Sequence, residues 1–165
     1  MMTLEEYKSN TDRGFVVALA SDHAAIDMRA MIWERLYQTV YYNGTQGHYP
    51  LGYGPSQNEG RVDYPDYANK VAHSVLSGEA ERGILICGSG IGMSMAANRH
   101  RGIRCAVVND VTSARLSRQH NNANVLALGA RLIGPDLAWA IVEEWLKTPY
   151  EGGRHDQRIA KLDGL

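Results

Sequence analysis

Short apolar runs alternate along this chain with segments of helical periodicity. Residues 15–20 and 83–87 are continuous apolar runs, which are typical of parallel strands covered by helices on both faces. Between such runs apolar residues recur at helical spacing, as Met28, Ile32 and Leu36 do. Because a strand followed by a helix recurs four or five times, the pattern predicts an α/β fold. At 165 residues we predict a Rossmann-like (flavodoxin-like), doubly wound parallel sheet of five strands in a three-layer α/β/α arrangement.

The remaining elements follow with short turns, except in one region. Residues 41–61 are rich in Gly, Tyr, Asn, Gln and Pro, so we expect a long loop there, with one short strand at 48–53. We expect residues 1–14 to be an N-terminal extension and residues 15–165 to be a single domain with a C-terminal helical tail. Further strands are predicted at 104–108 and 124–128, and helices at 24–40, 63–76, 93–98, 111–119 and 135–146.

The charge balance argues against several classes of partner. Lys+Arg number 17 against Asp+Glu 18, so no basic excess points to a nucleic acid or an anionic membrane. No apolar run approaches the roughly 20 residues that span a bilayer, and the polar N-terminus does not resemble a secretion signal, so we expect a cytoplasmic protein. Cys87 and Cys105 are then expected to be reduced thiols. Without a CxxC or HExxH motif, no metal site is predicted.

A glycine-rich loop after the strand at 83–87 is the strongest sign of chemistry. Gly88, Gly90 and Gly92 stand at alternate positions before a helix, so successive backbone N–H groups can point the same way. Such a nest binds a phosphate, a carboxylate or a developing oxyanion; a tight strand-to-helix turn is the alternative. Cys87 directly precedes the loop, where a helix N-terminus favours the thiolate, a nucleophile or general base. A small buried core residue is the alternative for this cysteine.

Ligands bind beyond the carboxyl ends of parallel strands, and this rule places further candidates. Asp22 and His23 end the first strand, although Asp22 has the alternative role of a helix cap. His120 and Asn121 instead precede the last strand. They reach the same edge only if their helix ends short and the loop folds back, and an ordinary turn is the alternative.

Three arginines are candidates for anion binding. Arg154 and Arg158 stand four residues apart on one face of a predicted helix, where like charges repel. Guanidinium groups suit phosphate, so an anion held between them would explain that spacing. A solvated basic face shared with Lys161 is the alternative. Arg131, in the segment GARLIG, is the third candidate.

Together these motifs resemble the ribose-5-phosphate isomerase type B and galactose-6-phosphate isomerase family. The resemblance runs from Phe15 to Ile159, and the combination is highly specific although each piece alone is modest. It implies a Rossmann-like sheet, a homodimer or homotetramer with active sites across the subunit interface, and no metal or organic cofactor. The matching stretches are SDHA (21–24), VDYPDYA (62–68), RGILICGSGIGMSMAANR (82–99), GIRCAVV (102–108), ARLSRQHNNANVLALGARLIG (114–134) and YEGGRHDQRI (150–159).

The resemblance implies the interconversion of aldose and ketose phosphates through an enediolate. Cys87 is then the base that moves a proton between C1 and C2, with Ser89 assisting, and the amides of residues 88–92 stabilise the enediolate oxygen. His120 opens the furanose ring, and Asp22 binds ring or hydroxyl oxygens.

The resemblance also implies which residues bind the substrate. Asn121 and Tyr64 line the sugar site. Arg154 and Arg158 hold the phosphate together with Arg131, which is expected from the neighbouring chain, and His23 assists.

Family members that lack this cysteine use a glutamate just after the glycine loop. Met93 fills that position here and cannot take a proton, so only the cysteine version is open to this chain. The family often has Gly where Ala25 stands, and residues 41–60 are longer and richer in tyrosine than its usual strand and turn. That segment leaves the sugar open: ribose 5-phosphate is the first expectation, and allose or galactose 6-phosphate are the alternatives.

Two other functions compete with the isomerase. GSGIG after a strand, with Asp110 about 20 residues further on, resembles a dinucleotide fingerprint. Met93 stands where the third glycine is required, however, and one small domain leaves no room for a catalytic partner domain. The other competitor is a non-catalytic subunit of a two-subunit isomerase, and the presence of every expected catalytic group argues against it.

Overall fold

The computed structural model describes residues 2–43 and 46–164. Residues 44 and 45 of the predicted loop-rich segment, residue 1 and residue 165 lie outside the described residues. The strands are β1 (Val16–Ser21), β2 (Tyr49–Tyr53), β3 (Arg82–Cys87), β4 (Cys105–Val107) and β5 (Val125–Gly129). The helices are α1 (Leu4–Lys8), α2 (Ile26–Asn43), α3 (Tyr64–Leu76), α4 (Ile91–Ala97), α5 (Val111–Asn121), α6 (Pro135–Lys147) and α7 (Asp156–Asp163), with a 3-10 turn at Gly153–His155.

The five strands form one parallel sheet in the order β2-β1-β3-β5-β4. This confirms the predicted α/β class and the five-stranded parallel sheet. The order differs at one edge from the flavodoxin order 2-1-3-4-5, because β5 lies inside β4. The reason is burial: all five residues of β5 are buried, whereas the three-residue β4 is partly exposed and suits an edge.

Helices cover both faces of the sheet, and each face has its own hydrophobic core. Val17 and Leu19 of β1 pack towards α2 and α6, where Trp145 is fully buried. Ala18 of the same strand points to the other face, towards α3 and α4, where Met93 is fully buried. The fold is therefore the predicted three-layer sandwich. Over the residues that are described, no helix is both long and apolar enough to cross a membrane.

The N-terminal residues pack against the sheet through a short helix that sequence analysis does not predict. The side chain of Thr3 caps α1, and the Glu6 carboxylate accepts the Thr3 N–H in return. Tyr7 is fully buried, and its hydroxyl donates to the Gly47 carbonyl at 2.6 Å. Five polar-rich residues carry no periodic signal, so only the tertiary contacts of Tyr7 reveal α1.

The chain that leaves β2 is held by α2 and then returns to the carboxyl ends of the central strands. The strand predicted at 48–53 is present as β2. The guanidinium of Arg29 on α2 donates to the carbonyls of Tyr53 at 3.2 Å and Pro55 at 2.7 Å. Further along, the Val62 N–H donates to His23 Nδ1 at 3.3 Å. This segment therefore borders the carboxyl ends of β1 and β3.

Candidate active site

Cys87 lies at the carboxyl end of β3, where the glycine loop begins. Its side chain is 5% exposed, and the Gly90 N–H donates to its Sγ at 3.1 Å. A backbone N–H directed at the sulfur stabilises a thiolate, the form that can accept a proton. Cys105 differs, because burial raises the pKa of its thiol to about 12 and keeps it protonated.

Close packing explains the alternate glycines of the loop. Gly90 has a φ of +77°, which side chains rarely adopt, and a Cβ there would lie 3.1 Å from the Leu128 carbonyl carbon. A Cβ on Gly92 would lie 2.7 Å from Cζ of Tyr64. The loop is thus pressed between the end of β5 and the ring of Tyr64, which is 41% exposed.

Asp22 and His23 follow β1, beside the end of β3. The Asp22 N–H donates to the Ile86 carbonyl at 3.2 Å, next to Cys87, and one oxygen of its buried carboxylate accepts the Ala24 N–H at 2.9 Å. His23 is exposed, with Nδ1 accepting the Val62 N–H. Asp22 therefore stabilises a local turn. It also lies at the carboxyl ends of the strands, where the sequence predicts it.

Ser89 and Arg131 border the same loop. The Ser89 hydroxyl accepts the Ile91 N–H at 3.4 Å. A Cβ on Gly88 would lie 3.3 Å from Arg131 Nε, and the Arg131 N–H donates to the Gly88 carbonyl at 3.0 Å. The reason is that β5 pairs with β3, so the residues after β5 come to lie beside the loop after β3. Arg131 therefore adjoins the loop of its own chain, and the expectation that it joins Arg154 and Arg158 of a neighbouring chain stays a prediction.

His120 and Asn121 lie at the other end of the sheet. They end α5 directly before β5, and Asn122 turns the chain with a φ of +46°. The loop does not fold back, because the Ala123 N–H donates to the Ser117 carbonyl at 3.0 Å and the chain enters β5 at once. The half-buried His120 ring stacks on the ring of His155, with centroids 4.6 Å apart and planes at 14°.

Arg154 and Arg158 belong to the segment that carries His155. Both are exposed, and Arg154 Nε donates to His155 Nε2 at 3.4 Å. Burial lowers the pKa of His155, and His120 and the two arginines lower it further. His155 is therefore neutral at pH 7 in a region of positive potential that suits an anion.

The candidate residues thus form two groups at opposite ends of β5. Cys87 pairs with Gly129 at one end, and His120 precedes the other. The five residues between these ends span about 13 Å at roughly 3.3 Å per residue. Within one chain the groups are too far apart for hydrogen bonds to the same atoms. The Cys87 group is Asp22, His23, Tyr64, Cys87, Ser89, Arg131 and the glycines 88, 90 and 92; the His120 group is His120, Asn121, Arg154 and Arg158.

A cavity borders each group. One of about 730 Å³ is lined by His23, Gln57, Ala130 and the first turn of α2. Another of about 530 Å³ is lined by Asn121 and by residues 98–106, 123, 162 and 163. Each end of the sheet therefore offers open space to a small ligand.

One cluster beside the His120 group has the side chains of a metal site but not the geometry. His120, Glu151 and His155 place ligand atoms within 4.8 Å of one another. The two imidazoles are nearly parallel, so lone pairs in the ring planes do not converge on one point. Arg154 and Arg158 add positive charge beside them. The cluster therefore suits an anion better than a cation.

Comparison with known proteins assigns this arrangement to a family. Residues 17–162 match the family model described as Ribose/Galactose Isomerase, a span that includes both groups. The chain belongs to the ribose/galactose isomerase family. Helix α1 lies outside the matched span of this isomerase.

Relatives of this isomerase share its sequence and its fold. Ribose-5-phosphate isomerase B of Escherichia coli is 53% identical over 64% of this chain and 70% of that protein. D-erythrulose-4-phosphate isomerase of Pectobacterium atrosepticum is 41% identical over 88% of this chain and 91% of that protein. The crystal structure of ribose 5-phosphate isomerase from Thermotoga maritima has a TM-score of 0.82 and 48% identity, covering 92% of this chain and 99% of that chain.

Sequence analysis missed two buried side chains beside the His120 group. His155 stacks on His120, and its position directly after Arg154 in the matching stretch GGRH was the available signal. Arg118 is 3% exposed within α5. Arg118 stands between polar residues on a helix whose sequence predicts a solvent-exposed surface, so nothing in the sequence predicts its burial.

Proposed function

We propose that this isomerase interconverts ribose 5-phosphate and ribulose 5-phosphate through an enediolate, with Cys87 as the base. One observation carries the proposal: the Gly90 N–H meets Cys87 Sγ at 3.1 Å at the end of β3, in a chain of an isomerase family. The substrate follows relatives named ribose-5-phosphate isomerase B. Met93, at the position of the alternative glutamate base, is fully buried in the core, which leaves the base role to Cys87. The reaction belongs to pentose phosphate metabolism.

The proton transfer uses the Cys87 group. The Cys87 thiolate takes the proton from C2 of the open-chain aldose, and the electron pair of that bond forms the C1–C2 double bond. The aldehyde oxygen O1 becomes the enediolate oxygen, which the N–H groups of the glycine loop stabilise. The proton of the C2 hydroxyl passes to O1 with assistance from Ser89, and Cys87 returns its proton to C1.

The other members of the Cys87 group hold the sugar. Asp22, which is joined to Ile86 beside Cys87, binds hydroxyl or ring oxygens. Tyr64, packed on Gly92, lines the sugar, and Arg131 adds positive charge beside the glycine loop, with His23 at the same end of the strands. A proton moving between adjacent carbons needs no external electron acceptor, so the scheme calls for no redox cofactor.

A second copy of the chain completes the site in this proposal. Because the two groups lie at opposite ends of β5, a twofold axis beside the edge strand β4 would bring the His120 group of one copy to the Cys87 group of the other. His120 of one copy then opens the furanose ring, and its Arg154 and Arg158 hold the phosphate. The resulting homodimer, or a homotetramer built from it, has two complete sites per pair.

Exposed apolar side chains around β4 support this contact. Ile91 and Met95 on α4 are 49% and 63% exposed, and Val107 on β4 is 36% exposed. Leu162 on α7 is 54% exposed, and none of the described residues of α7 is buried although the helix carries Arg158. Apolar surface of this kind on several neighbouring elements is typical of a subunit interface.

The substrate is tested with a panel of phosphorylated aldoses and ketoses. We expect ribose 5-phosphate to give the highest kcat/KM, measured as ribulose formation. Faster turnover of allose 6-phosphate, galactose 6-phosphate or D-erythrulose 4-phosphate would replace the substrate and keep the reaction. No turnover of any of them would refute the proposed function.

The shared site is tested by mixing two inactive variants, C87A and H120N. Dissociated and reassociated at equal amounts, half of the dimers are mixed, and each mixed dimer has one site with both residues intact. We expect about a quarter of the wild-type activity to return. If each chain held its own complete site, mixing would restore nothing.

A further inference from the structure

Arg118 is a buried guanidinium that the proposed reaction leaves without a role. Its Nη1 donates to Asn122 Oδ1 at 2.9 Å and to the Ala123 carbonyl at 2.5 Å, and its Nε donates to the Thr148 carbonyl at 3.4 Å. Within the described part of the chain, these partners are neutral oxygens and no carboxylate pairs with it. Burial, with Arg82 and Arg104 nearby, lowers the pKa of Arg118 to about 10, so the side chain is still charged at pH 7. Burying a charge without a counter-ion is costly, so its presence calls for an explanation.

The partners of Arg118 belong to the two segments that carry the His120 group. Asn122 and Ala123 form the left-handed turn directly after His120 and Asn121. Thr148 caps α6, and the chain that leaves it reaches Arg154 six residues later. One buried guanidinium thus joins the turn beside His120 to the origin of the arginine segment.

Two further contacts join the same segments nearer the surface. The Glu151 N–H donates to the Gln119 carbonyl at 3.1 Å. The ring of His155 stacks on the ring of His120. Arg118 is therefore the innermost of three contacts between the segments, and it lies on the side away from solvent.

We propose that Arg118 is a positioning residue that sets the distance between His120 and the arginines Arg154 and Arg158. The inference rests on the proposed function, which assigns ring opening to the histidine and phosphate binding to the arginines. A planar guanidinium fixes the direction of several hydrogen bonds at once, which an ammonium group does not. Because a misplacement of about 1 Å can cost about 10²-fold in rate, a loosened joint would weaken catalysis without any lost substrate contact.

The test compares R118M with R115M. Methionine keeps the apolar stem of Arg118 and removes the fork. Arg115 is the matched control, because it lies on the same helix with a 44% exposed side chain and an ion pair to Glu144 at 3.7 Å. With ribose 5-phosphate we expect R118M to lower kcat/KM about tenfold or more, with a higher KM and a higher Ki for inorganic phosphate. R115M should stay within about twofold of wild type, since Arg115 is the exposed member of its pair and Glu144 keeps a second ion pair, with Lys147 at 2.7 Å.

The kinetic constants are compared on folded protein, below the melting temperature of each variant. R118K keeps the charge but not the fork, so it should resemble R118M. If R118M does not fold, N122G decides, because glycine tolerates the φ of +46° and removes the side chain whose oxygen Arg118 binds, while Arg118 itself stays in place. A folded R118M, or N122G in its place, with wild-type kcat, KM and phosphate Ki overturns the proposal.

A measurement that needs no turnover separates this proposal from the proposed function. If the wild-type protein does not isomerise any sugar phosphate, the proposed function fails, and Arg118 is judged by NMR alone. The ring proton resonance of His120, and its shift on titration with inorganic phosphate, should change in R118M and not in R115M. An unchanged resonance in R118M would refute the positioning role.

Discussion

The Cys87 group and the His120 group are built from different parts of the chain. The Cys87 group relies on backbone, with the Gly90 N–H on the sulfur, Gly90 packed against β5 and Gly92 against the Tyr64 ring. The His120 group relies on long or charged side chains, with exposed Arg154 and Arg158 beside two stacked imidazoles. Fixed N–H groups suit a charge that appears on one oxygen during a reaction, whereas guanidinium groups suit a phosphate that is always charged. The comparison teaches that isomerisation and phosphate recognition are assigned to opposite ends of the sheet in this proposal.

Removal of the thiol should have the largest effect. We expect C87A to lower kcat on ribose 5-phosphate by about 10³-fold, because the base is lost, while KM changes little. Ribulose formation measures it. C105A is the control, since the Cys105 thiol stays protonated and belongs to neither group. A C87A protein that keeps a tenth or more of the wild-type kcat would refute the assignment of the base to the Cys87 group.

Removal of one guanidinium should act mainly on binding. We expect R158M to lower kcat/KM by about 10²-fold, chiefly through KM, because a charge-assisted contact to phosphate is lost. Steady-state kinetics at two salt concentrations check it, since salt should raise the KM of wild type more than that of R158M. K161M, three residues further along α7, is the control. A drop in kcat with unchanged KM would assign Arg158 to chemistry rather than recognition.

A single methyl group should disturb the backbone-built end. In G92A the new Cβ would meet the Tyr64 ring at 2.7 Å, so the ring or the loop must move, and we expect kcat/KM to fall about tenfold. Gly134 offers a matched control, because a Cβ there has no atom within 4 Å. Equal activities of G92A and G134A would show that the loop tolerates movement.

Acid should weaken the fold where histidines are held neutral. Burial lowers the pKa of His48 from 6.5, and Arg82 adds to the shift, while His48 Nδ1 accepts the Phe15 N–H at 3.1 Å. The unfolded chain therefore takes up a proton that the folded chain resists, so this stability is complete above pH 6.5 and is lost as the pH falls below it. Between pH 7.5 and 5.5 we expect the Tm of wild type to fall by a few degrees more than that of H48Q. Equal slopes in calorimetry would contradict the assignment.

Much of the fold could be predicted because buried strands and amphipathic helices have different periods. β2 was predicted even within a loop-rich segment, since residues 48–53 hold the short extended run. The places of β4 and β5 could not be predicted, because the two short apolar runs look alike and only their burial distinguishes them. Helix α1 was missed because its single buried anchor, Tyr7, is a long-range contact.

The part of the candidate site that lies at the carboxyl ends of strands could be predicted from the sequence. Asp22 and Cys87 follow or end strands β1 and β3, which the flavodoxin-like strand order places side by side. His120 precedes its strand, so its distance from Cys87 depends on the length of β5. No local sequence pattern indicates that these two residues belong to one site. His155 and Arg118 depend on contacts between α5 and the chain after α6. The catalytic and binding roles of all these residues stay predictions until the variants are measured.

The burial of Tyr7 has a practical consequence for anyone who shortens this protein. A chain trimmed to residues 17–162 would match the family model fully, yet it would lose the phenol that closes over Gly47 and the arginine that pairs with Glu81. Glu81 also accepts the Val16 N–H at 2.6 Å, and Val16 lies outside residues 17–162 too. The Glu81 carboxylate would therefore lose both its ion pair and this hydrogen bond at the start of β1. Trimming should therefore lower yield and heat resistance, although every residue proposed for chemistry would be retained.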